Sequence, residues 1–243
     1  MHLMSEIILF IVEGNKTEHS LANSLFPFYF TDKKPKIVTF GAEIYQLYSF
    51  LKKQEYADYD IVGLLKERGT VELDNIKRSK ISEIYLFFDY DGHARGASDE
   101  KIKELITYFD DETGNGKLFV SYPMIESIKH IIPERCFSTV LAEAKVKERY
   151  KEVVSKEGCK TLQNLNELSG ESIKSIHTEH LKKANFLCND KFELPEEILE
   201  QQVIFDSQLM KYIKPDEKIS VLNGFPMLFL HYFGVSKAIN KLS

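Results

Sequence analysis

Residues 7 to 18 read IILFIVEGNKTE: six apolar residues, Ile7 to Val12, run straight into Glu13 and Gly14. An unbroken apolar run of this length predicts a strand buried on both faces, as in a parallel sheet, and the glycine predicts a tight turn after it. Burying the end of a strand beside a carboxylate is costly unless that carboxylate has a use.

The same arrangement returns further along the chain. In EIYLFFDYDGHARGA (residues 83 to 97) an apolar strand delivers Asp89, Asp91 and Gly92; in KLFVSYPMIES (residues 117 to 127) a strand breaks at Pro123 and reaches Glu126 where a helix could begin. Residues two apart in an extended segment point the same way, so Asp89 and Asp91 are expected to share one side.

Strand-like runs span Glu6 to Val12, Lys36 to Phe40, Glu83 to Phe88 and Lys117 to Ser121. Between them, Thr17 to Phe28, Ile44 to Leu51 and Ile102 to Phe109 carry helical periodicity, the last preceded by Ser98 as N-cap with Asp99 and Glu100 favouring the helix dipole. Alternating strands and helices predict an α/β fold with an open, mainly parallel, four-stranded sheet. After Ile131 the strand signal fades. Cys136 to Val154, Thr161 to Leu168, Glu171 to Phe186, Pro195 to Tyr212 and Gly224 to Tyr232 read as helices. The expected organisation is an α/β domain over 1–131 with a helical region, 132–243, packed on it.

The carboxyl ends of strands in an open parallel sheet form one edge, where ligands bind. Glu13, Asp89, Asp91 and Glu126 would meet there, and like charges so close need protonation or a cation. Oxygen-only ligands favour Mg²⁺ or Mn²⁺ over zinc. The net charge is −5, with 16 Lys/Arg against 21 Asp/Glu in residues 1–131 and 16 of each in 132–243. An acidic whole-molecule field argues against tight nonspecific nucleic-acid binding, so an anionic ligand would depend on local cations or bound metal. Cys136, Cys159 and Cys188 are an odd, widely spaced set without a CxxC pair, read as free buried thiols in a reducing compartment. The first apolar run is too short for a signal peptide or membrane span, which makes the cytoplasm the expected location.

With VEGNKTE after one strand, FFDYDG after another and SYPMIES after a third, the first half of the chain resembles the TOPRIM domains of topoisomerases, primases and OLD-family nucleases, and more narrowly the small TOPRIM-type proteins of bacterial phage-defence operons. The resemblance implies that Glu13 is a metal ligand or general acid/base, that Asp89 and Asp91 bind metal, and that Glu18 and Glu126 complete a second metal position. Two metals would clamp the attacking and leaving oxygens of a phosphodiester. OLD-type enzymes also use a lysine, for which Lys129, one helical turn after Glu126, is the candidate. Arg95 and His93, in the loop after the DxD, are candidates for substrate phosphate.

The expected activity is thus a Mg²⁺- or Mn²⁺-dependent nuclease acting on DNA or RNA, an effector of phage defence. The sequence holds no GxxxxGK[ST] loop, and the resemblance implies a separate ATPase or sensor subunit, with self-assembly also open. Two other readings stand beside it. LFFDYDG also resembles the nucleophile motif of haloacid dehalogenase phosphatases, in which Asp89 would attack phosphate. A non-catalytic, cation-holding sensing subunit is the third.

Overall fold

The structure, a computed structural model, describes residues 7–31, 33–53, 60–146 and 149–243, with the side chain of residue 34 left aside. In chain order the first part gives β1 (Ile7–Val12), α1 (Thr17–Tyr29), β2 (Lys34–Thr39), α2 (Ile44–Lys53), α3 (Ile61–Glu67), β3 (Ile81–Asp89), α4 (Asp99–Tyr108), β4 (Asp110–Asp111) and β5 (Gly116–Ser121). The sheet order is β2-β1-β3-β5-β4, parallel throughout except for β4, a two-residue antiparallel edge. The four expected strands are present. The fifth was not legible, because two exposed aspartates carry no strand pattern.

The inner strands β1, β3 and β5 are buried on both faces over most of their length, as their apolar runs require, whereas the edge strand β2 is only half-buried. Phe10, Tyr85, Phe87 and Phe119 make one face aromatic: Phe10 meets Phe26 at 4.3 Å between ring centroids, and Phe87 stacks on Phe225 at 4.1 Å. The second half of the chain therefore closes this face of the sheet. On the edge strand β2, the Phe40 amide donates to the Val12 carbonyl, so even-numbered amides face β1 and Pro35 lies on the outer side. Pro35 has no N–H to offer there.

The second half comprises β6 (Leu141–Glu143), α5 (Tyr150–Glu157), α6 (Gly170–Asn189), α7 (Gln201–Gln208), α8 (Lys214–Asp216), β7 (Lys218–Ser220), α9 (Gly224–Phe233) and α10 (Val235–Leu242). The helices expected near Glu171–Phe186 and Gly224–Tyr232 are α6 and α9. Other expectations fail. Most of Cys136 to Val154 is not helical: a 3-10 turn at Phe137–Thr139 leads into β6, which pairs antiparallel with β7, and helix begins only at Tyr150. Helix-forming Leu141, Ala142 and Glu143 are drawn into a strand by a partner 75 or more residues away, a tertiary override of local propensity. Thr161 to Leu168 resolves into two 3-10 turns, and Pro195 to Glu200 precede α7 rather than belonging to it. Among the described residues no helix is long and apolar enough to cross a membrane.

Candidate functional site

The register brings the strand ends level: Val12 lies opposite both Thr39 and Phe87, and Asp89 opposite Ser121. Hydrogen bonds continue past the strand ends. Glu13 N donates to Phe87 O at 3.1 Å, Gly41 N to Glu13 O at 3.0 Å, and Tyr90 N to Ser121 O at 2.9 Å. The backbone that carries Glu13 and Asp89 is thus fixed by the ladder itself.

Two of the acids are joined directly, since the Asp89 amide donates to Glu13 Oε2 at 3.2 Å. Glu18, buried in the first turn of α1, accepts from the Gly14 amide at 2.9 Å and so braces the turn after β1. Burial, with the negative charges of Asp91, Glu18 and Glu43 adding to it and the Asp89 amide opposing, pushes the Glu13 carboxyl up to about 8. Asp89 is held well above the usual carboxylate range, first by burial and then by Glu13, Glu126, Glu18 and Asp91. The other four acids expected from the sequence thus all bear on Asp89, and Asp91 and Glu18 also bear on Glu13.

Their arrangement differs from expectation at Asp91. Strand β3 ends at Asp89, and Asp91 adopts a left-handed φ of 41°, so the two carboxylates do not alternate along one extended segment. Asp91 Oδ1 is 2.8 Å from His93 Nδ1, which orients the imidazole through one of its two ring nitrogens. Arg95 is exposed on the same loop. Gly92 is confined: a Cβ there would lie 2.5 Å from the Ala144 carbonyl oxygen and 2.5 Å from the Tyr90 ring. Gly92→Ala is accordingly expected to destabilise the protein by about 1–3 kcal/mol, measured by urea unfolding.

Glu126 sits in a 3-10 turn, Ile125–Lys129, and is 5% exposed. Its Oε2 is buried without a hydrogen bond among the described residues, while Oε1 lies 3.0 Å from Lys151 Nζ. The cation at the acids is thus Lys151, from the first turn of α5. Against the desolvation of Lys151, Glu126, Asp89 and Glu18 all favour its charged form; Lys129 stands at the end of the 3-10 turn. Glu43, just before α2, was also missed, although it follows β2 by the same rule that singled out Glu13. Lys151 had no signal, because its helix reaches the sheet edge only through long-range packing. Tyr45 completes the surroundings: its hydroxyl donates to Tyr90 O at 2.7 Å, and its pKa is raised by burial first and then by Asp99, Asp91, Glu13 and Glu43.

Among the described residues no three His, Cys, Asp or Glu side chains close into a ready coordination set. The donor chemistry nevertheless suits a hard divalent cation: carboxylate oxygens, mutually destabilised, one of them lacking a hydrogen bond. Comparison of the chain with protein-family models, with curated proteins and with solved structures found no match.

Proposed function

We propose that this chain is a divalent-cation-dependent phosphodiester hydrolase, a nuclease of TOPRIM type, working at the carboxyl edge of its sheet. The observation that carries the reading is the crowding of Glu13, Asp89, Asp91, Glu18 and Glu126, which leaves Glu13 and Asp89 reluctant to ionise without a positive partner. Glu13, Asp89 and Asp91 would hold Mg²⁺ or Mn²⁺, flanked by Glu18 and Glu126, and the cation would stabilise charge on phosphoryl oxygens. Glu13 would serve either as a ligand of that cation or as the general acid/base. Lys151 orients Glu126, and exposed Arg95 supplies a fork for substrate phosphate. A role in phage defence, and a separate ATPase or sensor subunit as partner, follow from the same motif resemblance.

The deciding experiment incubates the purified chain with DNA and RNA in Mg²⁺, Mn²⁺ or EDTA. Metal-dependent cleavage lost in Asp89→Ala is the expected result; no cleavage under any condition would remove the nuclease reading. Lys151→Ala is expected to lower cleavage at least about tenfold and to lower Tm in metal-free buffer, because it strips the buried Glu126 carboxylate of its ion-pair partner.

A second reading is a non-catalytic, cation-holding subunit, favoured by the net charge of −5, which repels a polyanionic substrate. Calorimetric Mg²⁺ binding in a chain that cleaves nothing would identify it.

A further inference from the structure

The small sheet of β6 and β7 has one edge closed and the other open. Ala144 N donates to Glu217 O at 2.9 Å and Val221 N to Val140 O at 3.3 Å, so the even-numbered residues of β6 bond to β7, and the backbone groups of Leu141 and Glu143 face away from it. On the far side of β7 a side chain mimics a further strand: the Ser220 amide donates to Gln208 Oε1 at 2.9 Å and its carbonyl accepts from Gln208 Nε2 at 2.7 Å. Among the described residues nothing equivalent covers β6, and the N–H and C=O groups of Leu141 and Glu143 take no hydrogen bond.

This open edge borders a cleft of about 200 Å³ between β6, α5 and residues 130–135. Residues 140–143 all line it; their side chains alternate between faces, so what they share toward the cleft is the backbone edge. The walls are accessible. Leu141 is 38% exposed, Ile132 and Val153 are half-buried, and Arg135 and Glu157 are exposed. Free donors and acceptors on such an edge are a template for another strand.

Charge and shape narrow the occupant. Lys218 and Glu143 pair with each other at the cleft. Among the described residues Arg135 reaches only Thr139, with Nε 3.4 Å from its hydroxyl and Nη2 3.3 Å from its carbonyl, and Glu157 reaches only His130, at 3.9 Å. One cation and one acid are thus left for a ligand. A phosphate backbone would meet two carboxylates, and a second copy of the chain would have to bring an equally recessed edge into the cleft. A single extended peptide meets neither obstacle. We infer that β6 takes an extended segment of a partner protein as a third strand, bonded to the backbone of Leu141 and Glu143, with apolar side chains against Leu141 and Val153, an acidic one at Arg135 and a basic one at Glu157. The assignment does not depend on the function of the acidic edge.

The test selects a displayed library of short random peptides on the full chain, then measures the selected peptides by calorimetry and by NMR amide exchange. Sequences that combine apolar residues with an acid and a base are expected. Their binding should slow exchange of the Leu141 and Glu143 amides at least about tenfold and leave Ala142, already bonded to β7, unchanged. Leu141→Pro removes an outward donor but no bond to β7, and Val140, at φ −78° and ψ 113°, already holds the conformation that a following proline requires. It is expected to weaken binding at least about tenfold with the circular dichroism unchanged. Arg135→Glu, at an exposed position, is expected to weaken the acid-bearing peptides to a similar degree. Asp89→Asn should bind as the wild type does. No selected peptide, binding untouched by both cleft variants, or Leu141 and Glu143 amides that exchange as before would overturn the assignment. So would protection of the same amides by self-association without peptide, which would give the edge to a second copy of the chain.

Discussion

Asp89→Asn and Glu13→Gln are expected to abolish metal-dependent cleavage and, in metal-free buffer at pH 8, to melt at a higher temperature than the wild type. Both carboxyls have folded-state pKa values raised above their unfolded ones, by burial and by each other. For such a group, stability is fully present below the unfolded pKa, 4.5 for Glu13, and is lost as pH rises through the folded value of about 8. Glu13 alone accounts for a loss on the order of 2–4 kcal/mol across that window, which the neutral amide does not suffer. Added Mg²⁺ should raise the wild-type Tm at pH 8 and leave both variants where they were. Thermal melts from pH 5 to 9, with and without Mg²⁺, measure all of this; variants less stable than wild type at pH 8 would show that the acids are not mutually destabilised.

Acidification is expected to act through other residues. His177 and His130 are buried and held down to about 4, and His180 well below its ordinary value, desolvation being the first cause in each. The His177 ring donates from Nδ1 to Ile173 O at 2.6 Å, which leaves Nε2 to accept from the Tyr29 hydroxyl at 2.5 Å. The neutral forms of His177 and His130 contribute stability that is complete above pH 6.5 and lost as pH falls through about 4. His177 and His130 each account for a loss of about 3 kcal/mol, together a large part of a typical domain's stability. Between pH 6.5 and 4.5 the acids of the sheet edge offset some of this by gaining protons, so the fall should be steeper in Asp89→Asn than in wild type. Cooperative unfolding near pH 4 by circular dichroism, with the His177 and His130 ring resonances not titrating above pH 5, is the expected outcome. An ordinary titration of His177 near 6.5 would refute it.

These two groups also mark what could and could not be read from the chain. The carboxyl edge was legible because unbroken apolar runs fix strands without reference to anything distant, and Glu13, Asp89 and Glu126 each follow such a run. The direction of Asp91 was not, because a left-handed residue in a DxDG loop breaks the alternation that an extended segment would keep. Lys151 and the buried histidines were invisible for a different reason. Tyr29 meets His177 across 148 residues and Asn223 meets His180 across 43, so their roles exist only once α6 and α9 are packed. β6 and β7, three residues each, form only through that same packing.

Pro35, finally, bears on how copies of this chain could assemble. With a donor missing from the outer side of β2 and only two residues in β4 at the opposite edge, neither end of the sheet offers a long row of hydrogen bonds to another molecule. Growth by adding strand to strand is therefore disfavoured in both directions. A homo-oligomer would instead join through helical and loop surfaces, and the symmetry of that contact would set its subunit number.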